Sequence, residues 1–342
     1  MRMKKSFLAM LLVLGLLFAG LTGCGPGAPP PSPPPDGQQA QEPRPEPANV
    51  NVGGLKGPTG IALVGMADSA RRGEARHNYN VTFDTAPDVI QGKIISGELD
   101  IAAMPTNLAA LLYNRTGGEI TMIAMNRLKV LFIMQAPGED ISSFEDLRGK
   151  TLFTAGQGSM QEYVLNFFLR EAGLDPETDL NIEFLSEHAH VVALMLDGRA
   201  DAAFLPQPFV TTLIAQNPEI TRAIDIDAEW EALTGAELAM SCLVVRSDFL
   251  AAHPDVVRDF LEDFAASARF AMTNIDQAAA LVGEFDIAPE HIARQAIPYS
   301  NIASVTGEEM KAAALAYLRV LYEQNPAAVG GSMPDERFFF TD

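Results

Sequence analysis

The pattern that most constrains this chain is written twice. The first copy runs from Gly97 to Tyr113 and the second from Gly198 to Leu213. In both, Asp follows Gly by three positions, Pro follows Asp by five, and Ala-Ala stands between them. An apolar helical segment precedes each Gly, Val89 to Ile95 and Val191 to Leu196. Gly supplies the positive φ that stops a helix. The short apolar run after Asp suits a strand buried on both faces. Proline cannot donate to a ladder and ends that strand. Thr106 or Asn107 is placed to cap the helix that follows. The free N–H groups of such a helix point beyond the carboxyl end of the strand, where open α/β sheets bind ligands. Two copies predict two α/β lobes, each offering a helix start to a shared cleft.

At 342 residues the chain has room for two domains. Its formal net charge of −20 argues against nucleic acid as a partner. Positive charge at the start is local: Arg2, Lys4 and Lys5 precede an apolar run from Phe7 to Phe18. That run is too short for a stable span and reads as an export signal. It ends in Leu21-Thr22-Gly23-Cys24, which resembles the lipobox of bacterial lipoproteins. The resemblance implies cleavage after residue 23 and a lipid on Cys24, hence an extracytoplasmic protein tied to the membrane by its anchor alone. Residues 25 to 49 are rich in Pro, Gly, Gln and Glu and hold little to bury, so they read as a tether. The one other cysteine, Cys242, lies in an apolar run and reads as a small buried hydrophobe.

The folded body begins near Val50. Strands are expected at Asn49 to Leu55, Tyr79 to Phe83, Ile120 to Met125, Val130 to Gln135, Thr151 to Thr154, Asn181 to Leu185 and Met240 to Val245. Helices are expected at Ile61 to Ala70, with Thr59 as its cap, at Met160 to Ala172, and through most of the C-terminal third. Gly156-Gln157-Gly158-Ser159 between strand and helix suits an oxyanion or carboxylate cradle. It is neither a Walker loop nor a dinucleotide fingerprint. Glu187, His188 and His190 lack a third convergent ligand, so no metal is expected. His190 is read as opening a helix and His188 as facing the cleft.

The lipobox, Phe144-Glu145-Asp146-Leu147-Arg148-Gly149-Lys150, the Gly156 to Ser159 loop, and Gly198 to Ala203 with Pro206 and Pro208 together resemble one family. It is that of type II periplasmic binding proteins of ABC importers, in the group serving nitrate, sulfonate, taurine and thiamine-pyrimidine uptake. The likeness spans roughly residues 50 to 325. It implies two lobes, each a mixed sheet flanked by helices, joined by crossings near 136–139 and 237–240. Lobe one would hold 50–136 and 239–342, and lobe two 137–238. A solute would bind between them, the lobes would close by a hinge, and an ABC permease would receive the closed form. A monomer is expected.

Carried onto this chain, the family's cleft residues are Pro58 and Thr59; Met104, Pro105, Thr106 and Asn107; Gln157, Gly158 and Ser159; and Pro206, Gln207 and Pro208, with His188 beside them. Many relatives carry Glu before the second proline, where this chain has Gln207, which argues against a cationic ligand. These are mostly neutral hydrogen-bonding groups beside apolar Met104 and Phe209, which suits a small polar molecule. Helix starts offer a second option, a carboxylate or sulfonate held without arginine.

Neither a catalytic residue nor a cofactor is called for. Enzymes on the same fold include a chorismate-derived dehydratase and a pyridoxal-dependent pyrimidine synthase. The second needs a cleft lysine, and of Lys56, Lys93, Lys129, Lys150 and Lys311 only Lys56 borders an expected cleft loop. The remaining alternative is a lipoprotein that presents its ligand to a signalling receptor.

Overall fold

The computed structural model describes residues 46–127, 130–157, 159–300 and 302–341. The leader, the tether and the lipidation residue Cys24 lie outside the described residues, as does Gly158. The folded unit runs from Pro47 to Asp342.

The elements follow in chain order: β1 (Asn49–Leu55), α1 (Pro58–Ile61), α2 (Val64–Arg71), β2 (Asn78–Asp84), α3 (Pro87–Ser96), β3 (Ile101–Pro105), α4 (Thr106–Thr116) and β4 (Ile120–Arg127). Then come β5 (Leu131–Gln135), β6 (Thr151–Ala155), α5 (Met160–Glu171), β7 (Asn181–Leu185), α6 (His188–Leu196), β8 (Ala202–Pro206), α7 (Phe209–Gln216), β9 (Thr221–Asp225) and α8 (Ile226–Thr234). The chain closes with β10 (Ser241–Arg246), α9 (Ser247–Ala252), α10 (Pro254–Thr273), α11 (Ile275–Glu284), α12 (Glu290–Ala296), β11 (Ala303–Val305) and α13 (Gly307–Gln324).

The strands form two mixed sheets. One has the order β11-β4-β10-β3-β1-β2 and the other β7-β6-β8-β5-β9. In each, the strands alternating with helices run parallel, and one returning strand pairs antiparallel in the middle, β10 beside β3 and β5 beside β8. This is an α/β fold with helices flanking both sheets.

The two copies of the repeat build these two sheets. Gly97 and Gly198 both take a positive φ after their helices, at 80° and 68°. Each Asp then bonds the first parallel strand of its own sheet. The Asp100 carboxylate accepts from the Asn51 N–H (2.9 Å) and its N–H donates to the Asn51 carbonyl (2.9 Å). The Asp201 carboxylate accepts from the Thr151 N–H (2.7 Å) and its N–H donates to the Thr151 carbonyl (3.0 Å). Each Asp carbonyl also accepts from the returning strand, from Arg246 N–H in one sheet and Ala136 N–H in the other. The shared aspartate is thus a ladder-completing group, and its carboxylate satisfies a backbone donor where the strand pairing begins.

One expected boundary differs. The Val130 to Gln135 strand was assigned to the first lobe, with the crossing near 136–139. It pairs instead with β8 and β9, so the chain passes between sheets in the short stretch between Arg127 and Leu131. Pro137-Gly138, the first breaker pair after β4, lies beyond that change of sheet. The return passage occupies residues 235–240.

The main core covers the first sheet and reaches into the second half through Phe168 and Trp230. Trp230 of α8 is fully buried and packs on Phe167 (5.2 Å between ring centres) and on Tyr317 of α13 (6.1 Å). A second cluster, around Phe132, Phe153, Val191 and Leu205, fills the other side of the second sheet.

Candidate functional site

The carboxyl ends of β1, β3 and β4 and the starts of β10 and β11 meet at one edge of the first sheet. Strand register sets Ser241 opposite Pro105 and Ser304 opposite Asn126. Thr59 joins this row: its Oγ lies 3.3 Å from the Ser241 Oγ, and its carbonyl accepts from the Asn126 Nδ2 (3.4 Å). Thr106 opens α4 and is fully buried, with its N–H bonded to the Met240 carbonyl (3.1 Å). The Thr106 Oγ, the Asn126 Oδ1 and the Ser304 Oγ are buried without a hydrogen-bond partner. Burial pushes the Cys242 thiol up to about 12, opposed by the Thr106 hydroxyl beside it, so it stays protonated as a core group.

The second sheet repeats the arrangement. Gln207 stands just past Pro206, as Thr106 stands just past Pro105. Its N–H donates to the Val130 carbonyl (2.8 Å), matching the bond from Thr106 to Met240. Gln207 is 2% exposed. Its Oε1 accepts from the Thr211 N–H (3.2 Å) and hydroxyl (2.7 Å), which leaves Nε2 buried without a partner. The Gln207–Pro208 peptide is cis. Val130 N–H in turn donates to the buried Asp227 carboxylate (3.1 Å).

Three helix starts, those of α5, α6 and α7, converge beside Gln207. The Ser159 Oγ caps α5 by accepting from the Gln161 N–H (3.3 Å). The Gln161 Oε1 lies 2.9 Å from the His188 Nε2, which places the imidazole proton on that nitrogen. The His188 ring stacks on Phe209 at 5.1 Å and 28°. Burial lowers its pKa, so the ring is neutral near pH 7. Gly156, at φ 83°, is required here: a Cβ would come within 2.6 Å of the Ser159 Oγ and 3.1 Å of the Gln161 Oε1.

The structure therefore gathers Thr59 and Thr106 at one sheet edge, and Ser159, His188 and Gln207 at the other. Pro105, Asn107, Pro206 and Pro208 flank them half-buried, Pro58 opens α1, and Gln157 is exposed. Four expectations are corrected. Met104 is fully buried in the core, because β3 is covered on both faces, and it does not offer a surface to a ligand. Thr106 does not cap α4, since it already lies inside the first turn with Pro105 at the cap position. Thr59 does not cap the expected helix. α1 starts at Pro58 after Gly57, and the run from Ile61 to Ala70 is broken at residues 62–63. His190 does not open α6, which begins at His188 behind Glu187.

Asn126, Ser241, Ser304 and Gln161 were not anticipated. Asn126 had one available signal, the first polar residue after the apolar run Ile120 to Met125. Among the described residues no three His, Cys, Asp or Glu converge as a metal site, and no helix is long and apolar enough to cross a membrane. An open cavity of about 810 Å³ between α2, α10 and α11 lies away from these strand ends. Its Arg72 and Arg76 are ion-paired with Asp68, Glu74, Asp259, Glu262 and Asp263.

Solved structures with this fold include an ABC transporter protein from Parabacteroides distasonis, 22% identical, covering 85% of this chain and 98% of its own, with a TM-score of 0.69. The periplasmic aliphatic sulphonate binding protein from Escherichia coli is 17% identical, covering 86% and 92%, at 0.68. The periplasmic nitrate-binding protein from Synechocystis is 12% identical, covering 82% of each chain, at 0.56. A comparison with curated protein sequences gave no match. The family described as "ABC transporter, phosphonate, periplasmic substrate-binding protein" matches residues 74–288, more than half of the chain. The chain belongs to this family of periplasmic substrate-binding proteins of ABC transporters.

Proposed function

We propose that the chain captures a small polar solute between two lobes, at the strand ends that carry Thr106 and Gln207, and passes it to an ABC permease. One lobe comprises the β1–β4, β10 and β11 sheet with its helices, and the other the β5–β9 sheet. The single observation that carries this reading is a matched pair of unpartnered buried groups. Thr106 and Gln207 follow the same proline of the same repeat, donate the same backbone bond, and each holds a buried polar atom with no partner. A buried polar group left unpaired costs about 1–3 kcal/mol. A solute that pairs with both regains that energy only when both strand ends meet it, which favours the closed arrangement.

The sulphonate- and nitrate-binding proteins that share the fold support a solute of small size. Thr59, Asn107, Ser159 and His188 are assigned to the wall of this site. Cys24 is assigned as the lipid-bearing residue that holds the protein outside the cytoplasmic membrane, and the protein acts as a monomer. Native mass spectrometry of protein purified without denaturation tests the reading. A stoichiometric extra mass, lost in Thr106→Val, is expected. Small-angle scattering is expected to show compaction when the released compound is added back. A mass retained in Thr106→Val would place the solute elsewhere.

A further inference from the structure

Resting on the two lobes of that reading, we propose that Arg222 and Tyr299 form a breakable latch that keeps the unliganded halves drawn together. The Arg222 guanidinium, on β9 of the second half, lies 4.5 Å from the ring centre of Tyr299. It also lies 5.3 Å from the ring centre of Phe132, on β5 of its own sheet. Strand register explains the second contact, because Arg222 stands opposite Met134, two positions along β5 from Phe132. Tyr299 belongs to the first half. It ends the short turn Ile297–Tyr299 that follows α12 and packs on α10 and α11. One cation is thus shared by an aromatic ring from each half, within the range where a ring face attracts it.

A second join between the halves is of another kind. Trp230 and Tyr317 are both fully buried where α8 of the second half meets α13. Parting them would open a void in the core, so that join stays shut while the halves move. Tyr299 is 50% exposed, and an exposed cation–π pair is weak. Such a contact is broken without touching the core. Phe132 lies in the core of the second sheet and holds one face of the guanidinium, so only Tyr299 leaves when the halves part. The latch also ties segments that lead to the strand ends. The Tyr299 turn precedes β11, which carries Ser304, and α12 lies against α7, the helix that follows Gln207 and Pro208. Halves already drawn together raise the fraction of molecules ready for a solute, and apparent affinity scales with that fraction.

The test is single-molecule energy transfer across the halves of the dialysed, unliganded mature protein. Dyes sit at Asp88→Cys and Glu177→Cys, one exposed position in each half, while buried Cys242 stays unlabelled. In Tyr299→Leu and in Arg222→Gln the ratio of parted to joined molecules is expected to rise about two- to fivefold, the yield of one exposed cation–π contact. Tyr299→Phe keeps the ring and is expected to match wild type. The double variant Arg222→Gln with Tyr299→Leu is expected to part no further than either single one, because both changes remove the same contact. Unchanged ratios in both single variants, additive shifts in the double variant, or Tyr299→Phe behaving as Tyr299→Leu would each overturn the latch. The measurement needs no solute. A latch that fails it leaves solute capture standing, and a native mass spectrum without a bound solute leaves the latch standing.

Discussion

The two halves of the molecule share a backbone plan and differ in what they hang on it. In both, a left-handed Gly ends a helix, an Asp completes the ladder to the first parallel strand, and the residue after proline bonds the crossing segment. The halves part at that last residue. The first places a hydroxyl there, Thr106, inside the first turn of α4. The second places an amide, Gln207, between two prolines, with its oxygen spent on Thr211. The frame is duplicated while the reading atoms are not. On the proposed reading, a solute held at both positions meets equivalent backbone but different side-chain atoms at its two ends.

The largest expected effect comes from breaking the join between the halves. Trp230 is fully buried and bridges Phe167 of the second half to Tyr317 of the C-terminal helix. Trp230→Ala is expected to cost about 3–5 kcal/mol in chemical denaturation. A cost below 1 kcal/mol, roughly the surface level, would mean that the two halves are stable without this contact.

Next in size are the two aspartates, which test the frame itself. Asp100 accepts from both the backbone and the side-chain nitrogen of Asn51, and the Arg246 guanidinium lies 3.9 Å away. Among the described residues the Asp201 carboxylate accepts one hydrogen bond, from the Thr151 N–H, with the Lys150 ammonium acting on it only through space. Each Asp→Ala change leaves a ladder donor unpaired and should cost about 1–3 kcal/mol, with Asp100→Ala the larger. The opposite ranking would show that the second sheet depends more on its aspartate than the bond count implies.

The reading residues should separate differently. Thr106→Val removes a buried hydroxyl with no partner beyond the neutral Cys242 thiol, so the unliganded protein is expected to keep or slightly raise its melting temperature. Gln207→Leu strips Thr211 of its acceptor and is expected to lower stability by about 1–3 kcal/mol. Both should weaken the solute. Equal stability costs for the two would erase the distinction between an idle hydroxyl and a half-used amide.

That distinction marks how far the sequence could be read. The spacing from Gly to Asp to Pro located both strands and both helix starts, because each residue acts through its own backbone. Phe144–Leu147, part of the motif that carries the family resemblance, forms a single turn closed by Ser143 and Asp146 as a capping box. β5 went astray because no local signal marks the passage of extended chain from one sheet to another. Met104 belongs to the core because β3 is buried on both faces right up to its terminal proline. The pairing of Asn126 with Ser304 has no local signal, because they become neighbours only through the register of β11 on β4, between residues far apart in the chain. Local grammar shows where a site is; register decides which side chains furnish it.

The smallest effect is a one-sided pH response. α6 begins at His188, whereas its counterpart α3 begins at Pro87, which carries no titratable side chain. Burial holds the His188 pKa below the ordinary histidine value of 6.5. Between the folded and unfolded pKa values the unfolded chain therefore binds more protons, and stability falls as pH drops through that window. The contribution of the neutral ring is present in full above about pH 6.5 and is lost below it. His188→Phe keeps the stack on Phe209 and removes the proton site, so its stability between pH 7.5 and 5.5 should decline less than that of wild type. The difference should stay under about 1.4 kcal/mol, because pH 5.5 lies only about one unit below the unfolded histidine pKa. Parallel decline in the two proteins would move the pH sensitivity away from the second half and leave His188 with its packing role alone.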